Sequence, residues 1–121
     1  MKFSWVTIHV NTMKESLKFY EDILNLPIQR TLEIPNGGKI VFLGAGETSI
    51  ELIDLPKEEK NAFSENISIG FTVSSLKEME NTLKANSIDI HSGPFQPNPN
   101  MKFIYILDPN GVKVQLIEHI N

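Results

Sequence analysis

Trp5, Thr7 and His9 alternate along one short stretch near the start of the chain. Alternate side chains of a strand lie on the same face, so we expect these three to share one face while the apolar residues between them pack under a helix. An indole there could be a flat platform for a planar ligand, although tryptophan more often fills a core. The His9 imidazole could serve a displaced metal site, but a hydrogen-bonded histidine at a strand end is the more ordinary interpretation.

Glu51 is a carboxylate inside an otherwise apolar run, residues 50–53. An acidic side chain in such a place suits a general base, or an anchor for a cationic or hydrogen-bond-donating ligand. A carboxylate paired with a lysine in a solvated groove is an equally good interpretation, and metal ligation comes behind both. On the general-base interpretation, Glu51 is the candidate catalytic residue.

The stretch around these residues recurs in the second half of the chain. Residues 5–16 and 68–79 share one order, in which a short strand and a polar hinge precede a Lys-Glu pair that opens a helix. Residues 41–53 also align without a gap on residues 105–117. A period near half the chain length is typical of a duplicated supersecondary unit.

The repeat extends the set of candidate binding residues. It places Ser68 at the position of Trp5, Gln115 at that of Glu51 and Tyr105 at that of Val41. The predicted ligand-binding residues are Trp5, Thr7, His9, Glu51, Ser68, Thr72, Tyr105 and Gln115. His91 and His119 are expected to be exposed.

Hydrophobic periodicity and turn residues predict the order β-α-β-β-β twice. The predicted elements are strand 3–10, a helix from 13 to about 25, strands 27–34, 39–43 and 48–55, strand 67–73, a helix from 76 to about 85, a strand candidate at 88–91, and strands 102–107 and 112–118. Capping boxes are predicted at Thr12 with Glu15 and at Ser75 with Glu78. Residues 92–100, with three prolines and a glycine, are predicted to be an irregular and mobile loop.

The length of 121 residues is that of one domain. We expect an α+β fold over residues 1–121, in which module one (about 1–56), a charged linker (about 57–63) and module two (about 64–121) form two βαβββ modules. Their curved mixed sheets are expected to surround a groove, because each sheet buries only one face under its helix.

Composition argues against several classes of function. A net charge of -4 with scattered lysines and arginines argues against nucleic acid. The apolar runs are too short to span a bilayer, and no signal peptide is evident. With no cysteine there are no disulfides, and a cytoplasmic location is expected.

Three local patterns resemble the vicinal oxygen chelate superfamily, which includes glyoxalase-type lactoylglutathione lyases, bleomycin-resistance proteins, fosfomycin-resistance transferases and extradiol dioxygenases. They are residues 16–26 (SLKFYEDILNL), residues 50–52 (IEL) and residues 108–111 (DPNG). The resemblance spans essentially the whole chain and implies the fold predicted above. It also implies that paired modules form the site, and a homodimer is expected.

In the metal-dependent lyases of that superfamily, four ligands come from the first and last strands of the modules. The matching positions here hold Trp5, Glu51, Ser68 and Gln115, of which only Glu51 is a standard ligand. We therefore expect no metal and no cofactor, and the resemblance implies binding of a small planar or cationic molecule in the groove. The alternative is an enzyme, a lyase, isomerase or dioxygenase, that uses Glu51 as base or metal ligand; whether the protein is an enzyme stays open.

Overall fold

The computed structural model describes residues 1–57 and 61–120. The chain forms two compact units, Met1–Ala62 and Phe63–Asn121. Each unit has the element order β-α-β-β-β, which confirms the predicted fold class. Residues 58–60 of the predicted linker lie outside the described residues.

The first unit is a mixed four-stranded sheet with one helical segment. Its strands are β1 (Trp5–His9), β2 (Ile28–Ile34), β3 (Gly38–Leu43) and β4 (Ser49–Asp54), in the order β1-β4-β3-β2. The strands β1 and β4 are parallel and the other pairs antiparallel. A helical segment between β1 and β2 contacts β4.

The second unit repeats this arrangement. Its strands are β5 (Ser68–Thr72), β6 (Ser92–Asn98), β7 (Met101–Leu107) and β8 (Lys113–His119), in the order β5-β8-β7-β6. Helix α2 (Leu76–Ala85) contacts β8. In both units we call the sheet face turned away from the helix the open face.

The core of each unit lies between the helix and the other sheet face. In the first unit, Ile8 and Val10 from β1 and its end are buried, as are Tyr20 of the helical segment and Leu52 of β4. Trp5, Thr7 and His9 alternate with them and are exposed, as the period of two predicts. The buried residues of the second unit include Leu76, Leu83, Ile104, Val114 and Leu116.

The first helix differs from the predicted α-helix to about residue 25. Helix α1 ends at Leu17 (Met13–Leu17), and Lys18–Ile23 continue as a π-helical turn. The Leu24 amide donates to the Phe19 carbonyl, one residue further back than in an α-helix. The adjacent rings of Phe19 and Tyr20 are both buried and meet edge to face at 4.9 Å, so the wider turn allows neighbouring residues to enter the core together.

The capping box predicted at Thr12 is wrong, since the Thr12 side chain makes no cap. The amide of Met13 donates instead to the Asp54 carboxylate at 2.9 Å, from the end of β4. In α2 the Ser75 hydroxyl does accept from the Glu78 amide at 3.2 Å. The Leu76 amide also donates to Glu118 of β8 at 2.8 Å, so in both units a carboxylate of the last strand holds the first helical amide.

The prediction of an irregular loop at 92–100, and of a strand at 88–91, is wrong. Residues 92–98 form edge strand β6, which pairs with β7 only at Ser92, Phe95 and Asn98, with irregular register between them. Pro94 and Pro97, which have no amide hydrogen, fall between the paired residues. Proline is tolerated on an edge strand for that reason. Within 88–91, the His91 amide donates to the Tyr105 carbonyl before β6 begins.

The gapless alignment of the halves is correct for the parallel strand pairs but wrong for β3 and β7. Thr7 pairs with Glu51 as Gly70 pairs with Gln115. In the antiparallel pairs, however, Glu51 lies opposite Phe42, whereas Gln115 lies opposite Tyr105. The structural counterpart of Tyr105 is therefore Phe42, and Val41 is fully buried on the helix side.

Among residues 1–57 and 61–120, no helix is long and apolar enough to cross a membrane.

Candidate functional site

Thr7, Glu51 and Phe42 lie side by side across the open face of the first unit, because they are register partners on β1, β4 and β3. The Thr7 hydroxyl donates to the Glu51 carboxylate at 2.5 Å. Glu51 is half-buried and Thr7 is exposed. The carboxylate is therefore held within its own unit by a neutral donor, and its remaining lone pairs can accept from a ligand.

Trp5 covers Phe42 on this face. The two rings meet edge to face, with centroids 5.4 Å apart. On the next strand, the guanidinium carbon of Arg30 lies 4.2 Å from the centre of the Phe42 ring. Phe42 is only 4% exposed beneath them, while Trp5 is 48% exposed. The open face thus has an aromatic floor with an accessible indole and a cation stacked upon it.

A cavity of about 340 Å³ opens beside Trp5 at one corner of this face. It is lined by Trp5 and Phe42, by Arg30 and Gln29 of β2, by Ser49 of β4, and by Lys2, Ser4, Gly46 and Glu47 from the segments around them. Two bonds hold the segment before β1 against β4: the Ser49 amide donates to the Ser4 carbonyl, and the Thr48 hydroxyl to the Phe3 carbonyl. The cavity wall is therefore fixed by the sheet.

Several polar groups of the cavity wall bond one another. The Gln29 amide nitrogen donates to the Gly44 carbonyl, and its oxygen accepts from the Ser49 hydroxyl. Glu47 accepts from the Ala45 amide at 3.0 Å. That backbone N–H, followed by the N–H of Glu47 itself, holds the pKa of the Glu47 carboxyl below its ordinary value. Glu47 is therefore negatively charged at neutral pH.

His9 lies on the same face, one step further along β1, opposite Ile53. Its side chain is exposed, and its carbonyl accepts from the Asn61 side chain at 2.8 Å. His9 is the last residue of β1. The four predicted residues of the first half, Trp5, Thr7, His9 and Glu51, thus share one face.

The four predicted residues of the second half, Ser68, Thr72, Tyr105 and Gln115, share the open face of the second unit. The register pairs Gln115 with Gly70 and with Tyr105. A side chain at Gly70 would meet the Gln115 carboxamide oxygen, 3.4 Å from its Cβ. The hydroxyl of Thr72 lies 3.5 Å from His119 Nε2. Ser68, Thr72 and Gln115 carry neutral hydrogen-bonding groups.

An aromatic cluster on this second open face was not predicted. The rings of Phe95, Phe103 and Tyr105 contact one another, with centroid distances of 5.5, 5.6 and 6.2 Å. The Lys113 ammonium lies 4.3 Å from the centre of the Tyr105 ring. Lys113 thus stacks on Tyr105 as Arg30 stacks on Phe42, but it comes from the last strand of its unit.

Sequence reasoning also missed Phe42 and Arg30. The signal for Phe42 was the length of the turn between β3 and β4, which determines the residue opposite Glu51. Once Phe42 is placed, alternation along β2 leads to Arg30, its register partner.

The donor set does not fit a metal of the kind that the family resemblance implies. In the first unit, Glu51 is the one standard ligand at the two matching positions, because the Trp5 indole nitrogen has no free lone pair. The second unit offers the neutral oxygens of Ser68 and Gln115. Over the described ranges, no three His, Asp or Glu side chains come together to hold an ion. Divalent zinc, nickel and iron prefer several imidazole, thiolate or carboxylate donors.

A model of the Glyoxalase/Bleomycin resistance protein/Dioxygenase superfamily matches residues 2–116. The metallothiol transferase FosB of Staphylococcus epidermidis is 25% identical over 114 residues, which cover 92% of this chain and 77% of that protein.

Solved structures also share the fold. The trypanothione-dependent glyoxalase I of Leishmania major superposes with a TM-score of 0.84 at 22% identity, covering 98% of this chain and 86% of its own. A glyoxalase family protein from Bacillus cereus gives a TM-score of 0.78 at 17% identity, covering 100% of this chain and 94% of its own. At these identities the likeness concerns the fold alone.

Proposed function

We propose, since the chain belongs to the glyoxalase/bleomycin resistance protein/dioxygenase superfamily, that it binds a small planar molecule on the open face of its first unit without needing a metal ion. The observation that carries the proposal is the arrangement of Trp5 on Phe42. The Trp5 indole is half-exposed, meets the buried Phe42 ring edge to face and lies beside the cavity. A flat ligand ring can therefore pack against it.

The surroundings of Glu51 support a ligand contact there. Thr7 already donates to one oxygen of the Glu51 carboxylate. The negative charge of that group is therefore already hydrogen-bonded when a donor of the ligand bonds to it. Of the two ligand classes expected from the sequence, planar and cationic, the aromatic floor favours the planar one. Thr7 and Glu51 then orient the ligand rather than define its class.

Tryptophan fluorescence tests the proposal directly, because Trp5 is the only tryptophan of the chain. Titration with small neutral aromatics such as indazole and 2-naphthamide should quench and shift its emission, with saturation in the micromolar to millimolar range. The same affinities are expected after treatment with EDTA. By calorimetry, Trp5→Leu should weaken binding about tenfold or more, whereas Trp5→Phe should retain most of it.

A second candidate function is an enzyme in which Glu51 acts as base or metal ligand. The similarity to a metallothiol transferase favours it. The same titrations separate the two candidates, with Glu51→Gln and His9→Ala beside the wild type. Binding that requires Zn²⁺ or Ni²⁺, and metal affinity that is lost in both variants, would overturn the metal-independent proposal in favour of the enzyme.

A further inference from the structure

We infer that the planar ligand carries an acidic group, a carboxylate or a phosphate, which the cavity beside Trp5 receives on the guanidinium of Arg30. This inference rests on the proposed function and names the class of ligand for the same site. It depends on which hydrogen-bond donors of the cavity are available, on the balance of charge there and on the orientation of Arg30.

Lys2 and Arg30 are the charged donors of the cavity wall, beside the neutral Ser4 hydroxyl and Trp5 indole N–H. The Gln29 amide and the Ser49 hydroxyl donate to protein atoms. Across residues 1–57 and 61–120, none of the hydrogen bonds or ion pairs found involves the guanidinium of Arg30 or the ammonium of Lys2. A ligand entering the cavity therefore meets charged donors with unused capacity.

The balance of charge in the cavity opposes that of the chain as a whole. The protein carries a net charge of -4, yet the cavity lining contains Lys2 and Arg30 against the single carboxylate of Glu47. The lining thus carries one more positive than negative charge, and Glu51, the register partner of Phe42, lies outside that lining on the same open face.

Arg30 is also oriented before any ligand arrives. Its guanidinium carbon lies over the Phe42 ring, 4.2 Å from the ring centre, and Trp5 contacts the same ring. Stacking restricts the long side chain, so less conformational entropy is lost when its N–H groups bind an acid. The planar fork matches the two oxygens of a carboxylate or phosphate. Trp5, which binds the ligand ring, and Arg30, which binds the acidic group, both contact Phe42. This implies that the ring and the acidic group belong to one molecule.

Matched ligand pairs provide the test. Calorimetry on the full chain compares 2-naphthoate and 2-naphthyl phosphate with the neutral 2-naphthamide. We expect at least one of the two acids to bind about tenfold or more tightly than the amide. Tighter binding of naphthoate would identify a carboxylate ligand, and tighter binding of naphthyl phosphate a phosphate ligand.

Variants assign the effect to Arg30. Arg30→Gln should abolish the preference for acid over amide, and Arg30→Lys, which keeps the charge but loses the fork, should retain part of it. Lys18→Gln, which removes an exposed cation from the helical segment, should leave the preference unchanged. Glu47→Gln keeps an acceptor for the Ala45 amide and should tighten acid binding about twofold to fivefold; Glu33→Gln is its control. Thermal unfolding checks that each variant is folded.

The two proposals fail differently. If the amide binds as tightly as the acids, and Arg30→Gln binds all three like the wild type, the inference about the acidic group is overturned while the planar-ligand proposal stands. If none of the three compounds binds below about 10 mM and none quenches Trp5, both are overturned.

Discussion

Glu47 and Glu51 are carboxylates of the same unit, but different donors hold them. Glu51 accepts from the hydroxyl of Thr7, a neighbour on the open face. Glu47 accepts from the backbone of Ala45, two residues before it, and so stabilises the turn between β3 and β4. The first is available to a ligand, whereas the second shapes the loop beside the cavity and repels anions there.

The hydrogen bond of Glu47 predicts a dependence of stability on pH. Because the pKa of this group is lowered by folding, its contribution is present above the unfolded pKa and is lost as the pH falls through the folded pKa. We expect the unfolding free energy of the wild type to exceed that of Glu47→Ala at neutral pH, and the difference to shrink in acid. Urea unfolding at a series of pH values measures it; a difference that grows on acidification would contradict the assignment.

How far the sequence predicts single residues depends on how local their placement is. Alternation within one strand was enough to put Trp5, Thr7 and His9 on one face. The residue facing Glu51 from β3 depends on a turn length, and there the gapless repeat gave Val41 instead of Phe42. Arg30 was missed as a consequence, since its position is defined by the ring that it covers.

The start of each helix is secured by the last strand of its own unit. Asp54 accepts from the first helical amide in one unit, and Glu118 does so in the other. These carboxylates come from strands that pair directly with the strand preceding the helix, so one bond ties three elements together. It also places a negative charge at the helix N-terminus, where the backbone dipole favours it.

The bond between the Met13 amide and Asp54 predicts that the stability of this helix depends on Asp54 and not on Thr12, the residue at the N-cap position. Asp54→Ala should lower the free energy of unfolding by about 1–2 kcal/mol, because it leaves the Met13 amide unpaired. Thr12→Ala should have little effect, since that side chain makes no cap. Denaturant unfolding compares the two. Lys57→Ala is the control for the exposed Lys57–Asp54 pair, and an equal loss in Thr12→Ala and Asp54→Ala would contradict the role of Asp54.

Elements were predictable where side-chain period and turn chemistry agreed. The π-helical turn at 18–23 was not, because its apolar spacing also fits an α-helix and only the burial of two adjacent rings distinguishes them. Strand β6 was missed since proline usually excludes a strand. Three residues of β6 span two residues of β7, which leaves Pro94 and Pro97 unpaired, and this register is defined only once the two strands are paired.

The two units have the same strand pairing but different side chains on their open faces. The parallel strand pairs have the same register in the two units. On that common register, Trp5, Thr7 and Glu51 of one unit correspond to Ser68, Gly70 and Gln115 of the other. The first open face thus has a carboxylate beside its aromatic and cationic groups, whereas the second has an uncharged amide beside its aromatic cluster and Lys113.

Exposed apolar side chains predict self-association, and we propose that the protein is a homodimer. Phe3, Leu32 and Leu55 of the first unit and Ile67 and Phe95 of the second are each more than a third exposed, and burial of such side chains between two copies would remove apolar surface from water. Light scattering at micromolar concentration should give about twice the chain mass of 13.7 kDa.

Leu32→Glu locates the interface, because it places a charge on the open face of edge strand β2. If that face is buried between copies, the variant should shift towards the monomer mass, since an unpaired charge is costly to bury. Thr31→Glu puts the same charge on the opposite face of the same strand, so it should leave the mass unchanged. A wild-type mass of 13.7 kDa would overturn the dimer, and a dimeric Leu32→Glu variant would place its interface away from β2.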